Sequence, residues 1–309
     1  MLSMIAFKSP ANIQKALKTG APVVALESTV LTHGLPRPQN LELARDMERA
    51  VLAEGAIPAT IAFLDGNLHI GLNDAELVRL ANEDGAHKVG PRDFATVITN
   101  GANGGTTVAG TMLACKHAKI IVFATGGIGG VHRESHFDIS ADLQALATIP
   151  MIVVCAGAKA ILDLPATVEY LETMGVPVVG YQTNDFPAFY SRESGFPVSV
   201  RIDTPQDIVD FANIHWSLEM KTAVLVTQPI PEHSALPKEE VELIIESASK
   251  EAKNDKTRGQ ALTPFLLNRI SKISNGKSLQ ANLALLLNNA HLAGQISRAY
   301  ALNQRTKKV

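Results

Sequence analysis

Short runs of consecutive apolar residues recur along the chain, separated by longer stretches in which apolar positions return every three or four residues. The runs are Pro22–Glu27, Ala59–Phe63, Ile120–Ala124, Met151–Cys155, Val176–Gly180 and Ala223–Thr227. Each is too short for a helix and apolar on both faces, which is the pattern of strands covered on both sides in a parallel sheet. The helical stretches between them carry their own punctuation. One runs from Pro38 to Glu54 and meets Gly55, a residue suited to the left-handed turn that ends a helix. Another opens at Thr204-Pro-Gln-Asp207, with Thr to cap and Pro at the first helical position. Further helices are expected over Lys238–Lys253, Gln260–Ser274 and Ser278–Ile296. Asp65-Gly66, between two apolar runs, reads as a hairpin turn. No internal repeat or linker interrupts the alternation, and the polar stretch Glu251–Gly259 reads as a surface loop. The fold class is α/β, a single three-layer α/β/α domain over residues 1–309 with a mostly parallel central sheet.

Composition narrows the partners. Hydrophobic residues make up 46% of the chain and aromatics only 5%, so the core must be built from Ala, Val, Leu and Ile. With 28 basic and 30 acidic residues interspersed, there is no basic stripe to hold a nucleic-acid polymer. The basic tail Arg305–Lys308 reads as a solvated terminus. Cys115 and Cys155 lie in apolar segments and read as buried thiols of a reducing cytosol. The first residues do not have the form of a signal peptide, and no apolar run is long enough for a membrane span. A cytoplasmic location is expected.

Ligands of open α/β sheets lie beyond the carboxyl ends of the strands. Three candidate strand ends are polar or glycine-rich: Glu27–Pro36, Thr125–Arg133 and Ala156–Lys159. Gly126-Gly-Ile-Gly-Gly130 has neither the dinucleotide spacing nor the Gly-Lys-Ser/Thr of a P-loop. It suits either close approach of backbone amides to an anion or a plain turn. The helix starts near Gly104–Val108 and Ser140–Leu143 offer amides to an anion, or simple N-caps. Asp138 and Asp142, flanking Ser140, suit a hard divalent ion such as Mn²⁺ or Mg²⁺, or a solvated acidic face. Lys159, after an apolar strand, is a candidate nucleophile if burial lowers its pKa. Glu27 is a candidate general acid if burial raises its own, or else a turn cap. His33, His132 and His136 lack helical metal-ligand spacing, and His132 beside Arg133 suits an anion contact or a structural role.

Taken in order, these segments resemble the pseudouridine-5′-phosphate glycosidases, a family that includes the indigoidine A-like proteins. The resemblance rests on Ala25–Pro36, Gly105–Val108, Phe123–Arg133, Phe137–Leu143, Val154–Asp163, Leu171–Pro177, Phe186–Tyr190, Thr263–Leu267 and Ser278–Asn282, nearly the length of the chain. It implies reversible cleavage of the C–C bond between uracil and ribose 5-phosphate, with Mn²⁺ as the usual ion and a homotrimer as the assembly. It further implies that Lys159 is the nucleophile toward C1′, Glu27 the proton donor and Asp138 the metal ligand. Ser140, Ala141, Asp142, Lys88, Val108, His132 and Asn282 correspond to substrate contacts. Such chemistry explains the residue types. A C-glycoside has no heteroatom leaving group, whereas an amine on C1′ with an opened sugar ring can form an iminium as the carbon–carbon bond breaks and the base carries off the bonding electrons. The sequence differs from the family pattern at Gly90-Pro91, in a shorter path from Arg133 to Asp138, and at Lys277. Two further readings keep the same residues: the same chemistry on another phosphorylated C- or N-glycoside, and an inactive sugar-phosphate binding protein.

Overall fold

The computed structural model describes residues 7–133, 135–255, 257 and 262–306, with backbone alone for 135–137, 305 and 306. Glu134, residues 256 and 258–261, both chain ends and the side chain of His136 lie outside the described residues. The stretch Glu251–Gly259, expected as a surface loop, begins as the last turn of the helix Lys238–Asn254, and part of its remainder lies outside the described residues.

All six apolar runs form strands of one sheet. Its parallel part has the order Ile57–Leu64, Val23–Leu26, Val122–Ala124, Ile152–Cys155, Val224–Thr227, Val178–Tyr181, Val200–Ile202. From Val23–Leu26 the chain steps to one side to form Ile57–Leu64, and later to the other side to form Val122–Ala124. The sheet therefore reverses its direction of winding between Val23–Leu26 and Val122–Ala124, where a crevice opens at the carboxyl ends of the strands.

Helices cover both faces. On one, Gln39–Ala53 and the long helix Lys277–Thr306 pack on each other and on the central strands. The buried stripe Leu43, Met47, Ala50, Val51 supplies the contact, and each larger side chain removed from water contributes about 1.5–3 kcal/mol. Ser297 donates to the carbonyl of Val23 at 3.0 Å and fixes the long helix against the sheet. On the other face lie Val108–Ala118, Ala141–Thr148 and Leu164–Thr173. A cluster of buried residues from Ile13 to Ile296, dominated by Ala, Val, Leu and Ile, fills the space between.

The local signals hold where they were strong. Asp65 and Gly66, at φ 50° and 70°, turn Ile57–Leu64 into the antiparallel strand Asn67–Ile70. Thr204 accepts from the amide of Asp207 at 3.2 Å and caps Pro205–Ser217. Two expectations change, and one element is added. Gly104–Thr106 is a strand, paired with Ile57–Leu64 and with His87–Val89, and the helix starts at Val108. The last helix extends to Thr306, beyond the expected Ile296, where it packs along Pro205–Ser217 and Asn303 donates to Asp210 at 3.0 Å. A small antiparallel sheet, Leu162–Asp163, Val131–His132 and Ser135–Ile139, sits beyond the ends of the main strands.

Gly157 tests how tightly the loop after Ile152–Cys155 is packed. Its φ is +86°, and a Cβ there would lie 2.0 Å from the carbonyl oxygen of Pro187. Gly20 has φ +67° but open space around it. Gly20→Ala is expected to cost only the left-handed backbone penalty of about 1–2 kcal/mol. Gly157→Ala is expected to lower the thermal midpoint clearly further, as differential scanning calorimetry of the two variants would show.

Candidate active site

The crevice is a cavity of about 820 Å³. Glu27 enters it from the end of Val23–Leu26, and Lys159 from the loop after Ile152–Cys155. Glu27 is buried, and the hydroxyl of Thr125, at the end of the neighbouring strand, donates to its Oε1. Burial holds the carboxyl above its ordinary range, against the opposing pull of the Lys159 ammonium and the Thr125 hydroxyl. The Lys159 loop is bound to the glycine run: Lys159 donates its amide to Ile128 O at 3.0 Å, and Ile128 donates to Gly157 O at 3.1 Å.

Lys88 reaches the cavity on His87–Val89, a strand secured through Gly104–Thr106. Burial lowers its pKa, and the nearby Lys159 lowers it further, while Asp142 and Glu27 act in the other direction. Thr107 donates its amide to Val89 O at 3.0 Å, which joins this strand to the helix that begins at Val108. Val108, Ser140, Ala141 and Asp142 line the same cavity. Asp142 is buried, and its carboxylate accepts the amides of Ala109 and Gly129. Ser140 caps its helix by accepting the Asp142 amide at 3.2 Å.

Gly126, Gly127 and Gly129 form part of the wall. Their backbone φ angles are ordinary for any residue; the need is for space. A Cβ on Gly129 would fall 2.2 Å from Ser140 Oγ. The glycine run is thus a close-packed wall rather than a loose turn, and its Gly129 amide is already engaged.

His132 and Asp138 come from the small antiparallel sheet, and Asn282 from the second turn of the long helix. All ten residues that the resemblance names therefore border one cavity, including Lys88, Asp138 and Asn282, which adjoin the three departures from the family pattern. Among the described residues no group of three or more His, Cys, Asp or Glu gathers to cage a metal. Asp138 alone suits a hard ion that keeps most of its ligands as water, the habit of Mg²⁺ and, with similar oxygen ligands, Mn²⁺.

Arg133, beside His132, is engaged in the scaffold. Its guanidinium donates to Leu162 O and Ala160 O and pairs with Glu242 at 2.7 Å, so it braces the small sheet. Cys115 and Cys155 are both buried and free, as expected; burial pushes the Cys155 thiol up to about 12. Sequence reasoning assigned no role to three neighbours. Thr125 sits beside the glycine run but signals nothing by itself. His33 faces the cavity with its pKa lowered, first by burial and then by Lys88. Phe189 lines it at φ 65°, a backbone conformation that a bulky residue rarely adopts. No helix among the described residues is long and apolar enough to cross a membrane.

A doubly covered parallel sheet with an amine and a buried carboxyl converging at its point of reversal defines the chain as an α/β enzyme. The family profile described as Indigoidine synthase A like protein matches residues 12–299, and the chain belongs to that family. It is 50% identical over 289 residues to a pseudouridine-5′-phosphate glycosidase of Geobacillus kaustophilus, covering 93% of this chain and 96% of the relative. It is 47% identical over 291 residues to the protein of the same name from Petrotoga mobilis, covering 94% and 95%. Among solved structures, the prealnumycin C-glycosynthase AlnA in complex with ribulose 5-phosphate superposes with a TM-score of 0.90 at 39% identity, over 98% of this chain and 99% of that one.

The buried carboxyl has a consequence for stability. A carboxyl whose pKa is raised on folding favours the folded state below its unfolded pKa, and this contribution is lost as pH rises through the folded value. Glu27→Gln, which removes the titration, is therefore expected to raise the thermal midpoint at pH 7. The gain should fade as pH falls below the ordinary carboxylate range, as thermal melts across pH would report.

Proposed function

We propose that this chain cleaves, reversibly, the C–C glycosidic bond of pseudouridine 5′-phosphate to uracil and ribose 5-phosphate. The observation that carries the reading is the convergence of Lys159 and the buried Glu27 carboxyl on one cavity. It is supported by identities of 47% and 50% to full-length relatives that carry that activity in their names. The neutral Lys159 amine attacks C1′ as the bond from C1′ to the ring oxygen breaks, and Glu27 gives that oxygen a proton. The nitrogen then loses its extra proton and forms an iminium with its lone pair as the C–C bond breaks; uracil takes the bonding electrons and that proton on carbon. Water hydrolyses the iminium, releasing ribose 5-phosphate and the free amine. In this reading Lys88, Val108, His132, Ser140, Ala141 and Asn282 border the bound nucleotide, and Asp138 would hold Mn²⁺ largely through water. When bound, such an ion would supply a polarised water able to carry protons. The proposed unit is one domain over 1–309, assembled as a homotrimer in the cytoplasm, on the family resemblance.

The AlnA structure, named as a C-glycosynthase and holding ribulose 5-phosphate, favours a second reading. There the same lysine chemistry acts on another phosphorylated C- or N-glycoside.

The assay is incubation with pseudouridine 5′-phosphate and Mn²⁺, following uracil and ribose 5-phosphate by chromatography. Wild-type turnover is expected, and a folded, metal-loaded protein that gives none overturns the first reading. Borohydride should trap a sugar adduct on Lys159, located by peptide mass spectrometry and absent in Lys159→Ala. Glu27→Gln should lose about 10²–10⁴-fold in turnover, the range of a general acid. Independently of activity, Asp138→Asn should weaken Mn²⁺ binding about tenfold or more, read as free Mn²⁺ by electron paramagnetic resonance.

A further inference from the structure

Asp142 occupies the first turn of Ala141–Thr148 and is 6% exposed. Its two carboxylate oxygens serve two other segments. Oδ1 accepts the amide of Ala109 at 2.9 Å, in the first turn of Val108–Ala118, and Oδ2 accepts the amide of Gly129 at 2.8 Å, in the glycine run. Buried amides that lose a partner carry the full cost of desolvation, and bonds to an ionised acceptor are about twice as strong as neutral ones. An Asn at this position has a single acceptor oxygen, and its NH₂ would confront one of the two amides.

The two segments lead to the two lysines of the cavity. Gly129 follows Ile128, whose carbonyl holds the amide of Lys159. Ala109 follows the helix start whose Thr107 amide is held by Val89, next to Lys88. We propose that Asp142 is a positioning residue, an ionised clasp that sets the separation of the Lys159 wall from the Lys88 wall. Its role is distinct from the substrate contact that the family resemblance implies for it. The kinetic arm of the test rests on the proposed reaction; the structural arm does not.

The same charge also faces Glu27, together with Lys159, Lys88 and the Thr125 hydroxyl, and it favours the neutral carboxyl. Removing it lets the Glu27 pKa fall, so that protonated Glu27 is lost at a lower pH.

The experiment is Asp142→Asn in the full chain, with three measurements. In the ligand-free protein, hydrogen exchange by NMR should show the Ala109 and Gly129 amides losing protection by about tenfold or more. With pseudouridine 5′-phosphate, kcat should fall about a hundredfold, the order that a displacement of about 1 Å costs, while KM changes little. The alkaline limb of kcat should move to lower pH. Full protection of both amides overturns the clasp. So does a raised KM with kcat and its pH profile unchanged, since that makes Asp142 a substrate contact only. If the Asn variant does not fold, Asp142→Glu, which keeps the charge on a longer stem, should lose amide protection while keeping the alkaline limb; retained protection there overturns the clasp. A wild-type protein inactive on pseudouridine 5′-phosphate removes the proposed reaction and leaves the exchange result to decide the clasp.

Discussion

The burial of the Glu27 carboxyl at the reversal of the sheet is the constraint on which the site depends. Taking an ionised carboxylate out of water costs several kcal/mol unless cations and donors compensate. Here the compensation is assembled from distant parts of the chain: the Thr125 hydroxyl, the Lys159 ammonium and, more weakly, Lys88. Each must arrive on a fixed backbone, because a compensating group that wanders leaves the charge unpaired. Thr125 is fixed through its carbonyl, which accepts from Asn289 of the long helix at 2.9 Å. That helix is in turn fixed to the sheet by Ser297. The architecture far from the cavity therefore sets the orientation of one carboxyl oxygen within it.

The walls obey a second constraint, close approach of neighbouring groups to the backbone of glycines. Gly129 lies against Ser140 and Asp142, and Gly157 against Pro187, at distances that leave no room for a Cβ. Glycines placed for proximity let the Lys159 loop continue the strand order of the sheet, since Ile128 and Ala158 form a parallel bridge beyond the last regular residues. Lys159 thus stands on an extension of the sheet rather than on a free loop, which limits the volume its amine explores.

These constraints explain what was legible in the sequence. The six strands were readable because burial on both faces demands uninterrupted apolar residues, a local property. Helix starts at Thr204 and turns at Asp65-Gly66 were readable because caps and left-handed turns are chosen by one or two residues. Gly104–Thr106, Val131–His132 and Leu162–Asp163 were not, because two- or three-residue strands are created by pairing with partners remote in sequence. The candidate site divides the same way. Glu27 and Lys159 were visible as polar ends of apolar strands, whereas Lys88, Val108 and Asn282 could be named only by resemblance, since nothing local marks them. The partners of Asp142 are backbone amides, which no side-chain pattern announces.

The balance at Glu27 also bears on why one carboxyl can serve both directions of the proposed reaction. Cleavage needs a proton delivered to the departing ring oxygen, and synthesis needs it taken back, so the group must be tolerable in both states. Burial alone would lock the proton on; Lys159 and Thr125 alone would strip it off. The contributions run in that order, burial first, then Lys159, then Thr125, with the smaller push of Asp142 exceeding the pull of Lys88. The net result is a carboxyl held above its usual range yet opposed by a cation beside it. In the proposed reaction Lys159 becomes bonded to the sugar and its charge changes, and the strongest opposing pull on Glu27 changes with it. The two proposed roles would thereby be coupled: each step at the amine alters the proton affinity of the carboxyl that the next step requires.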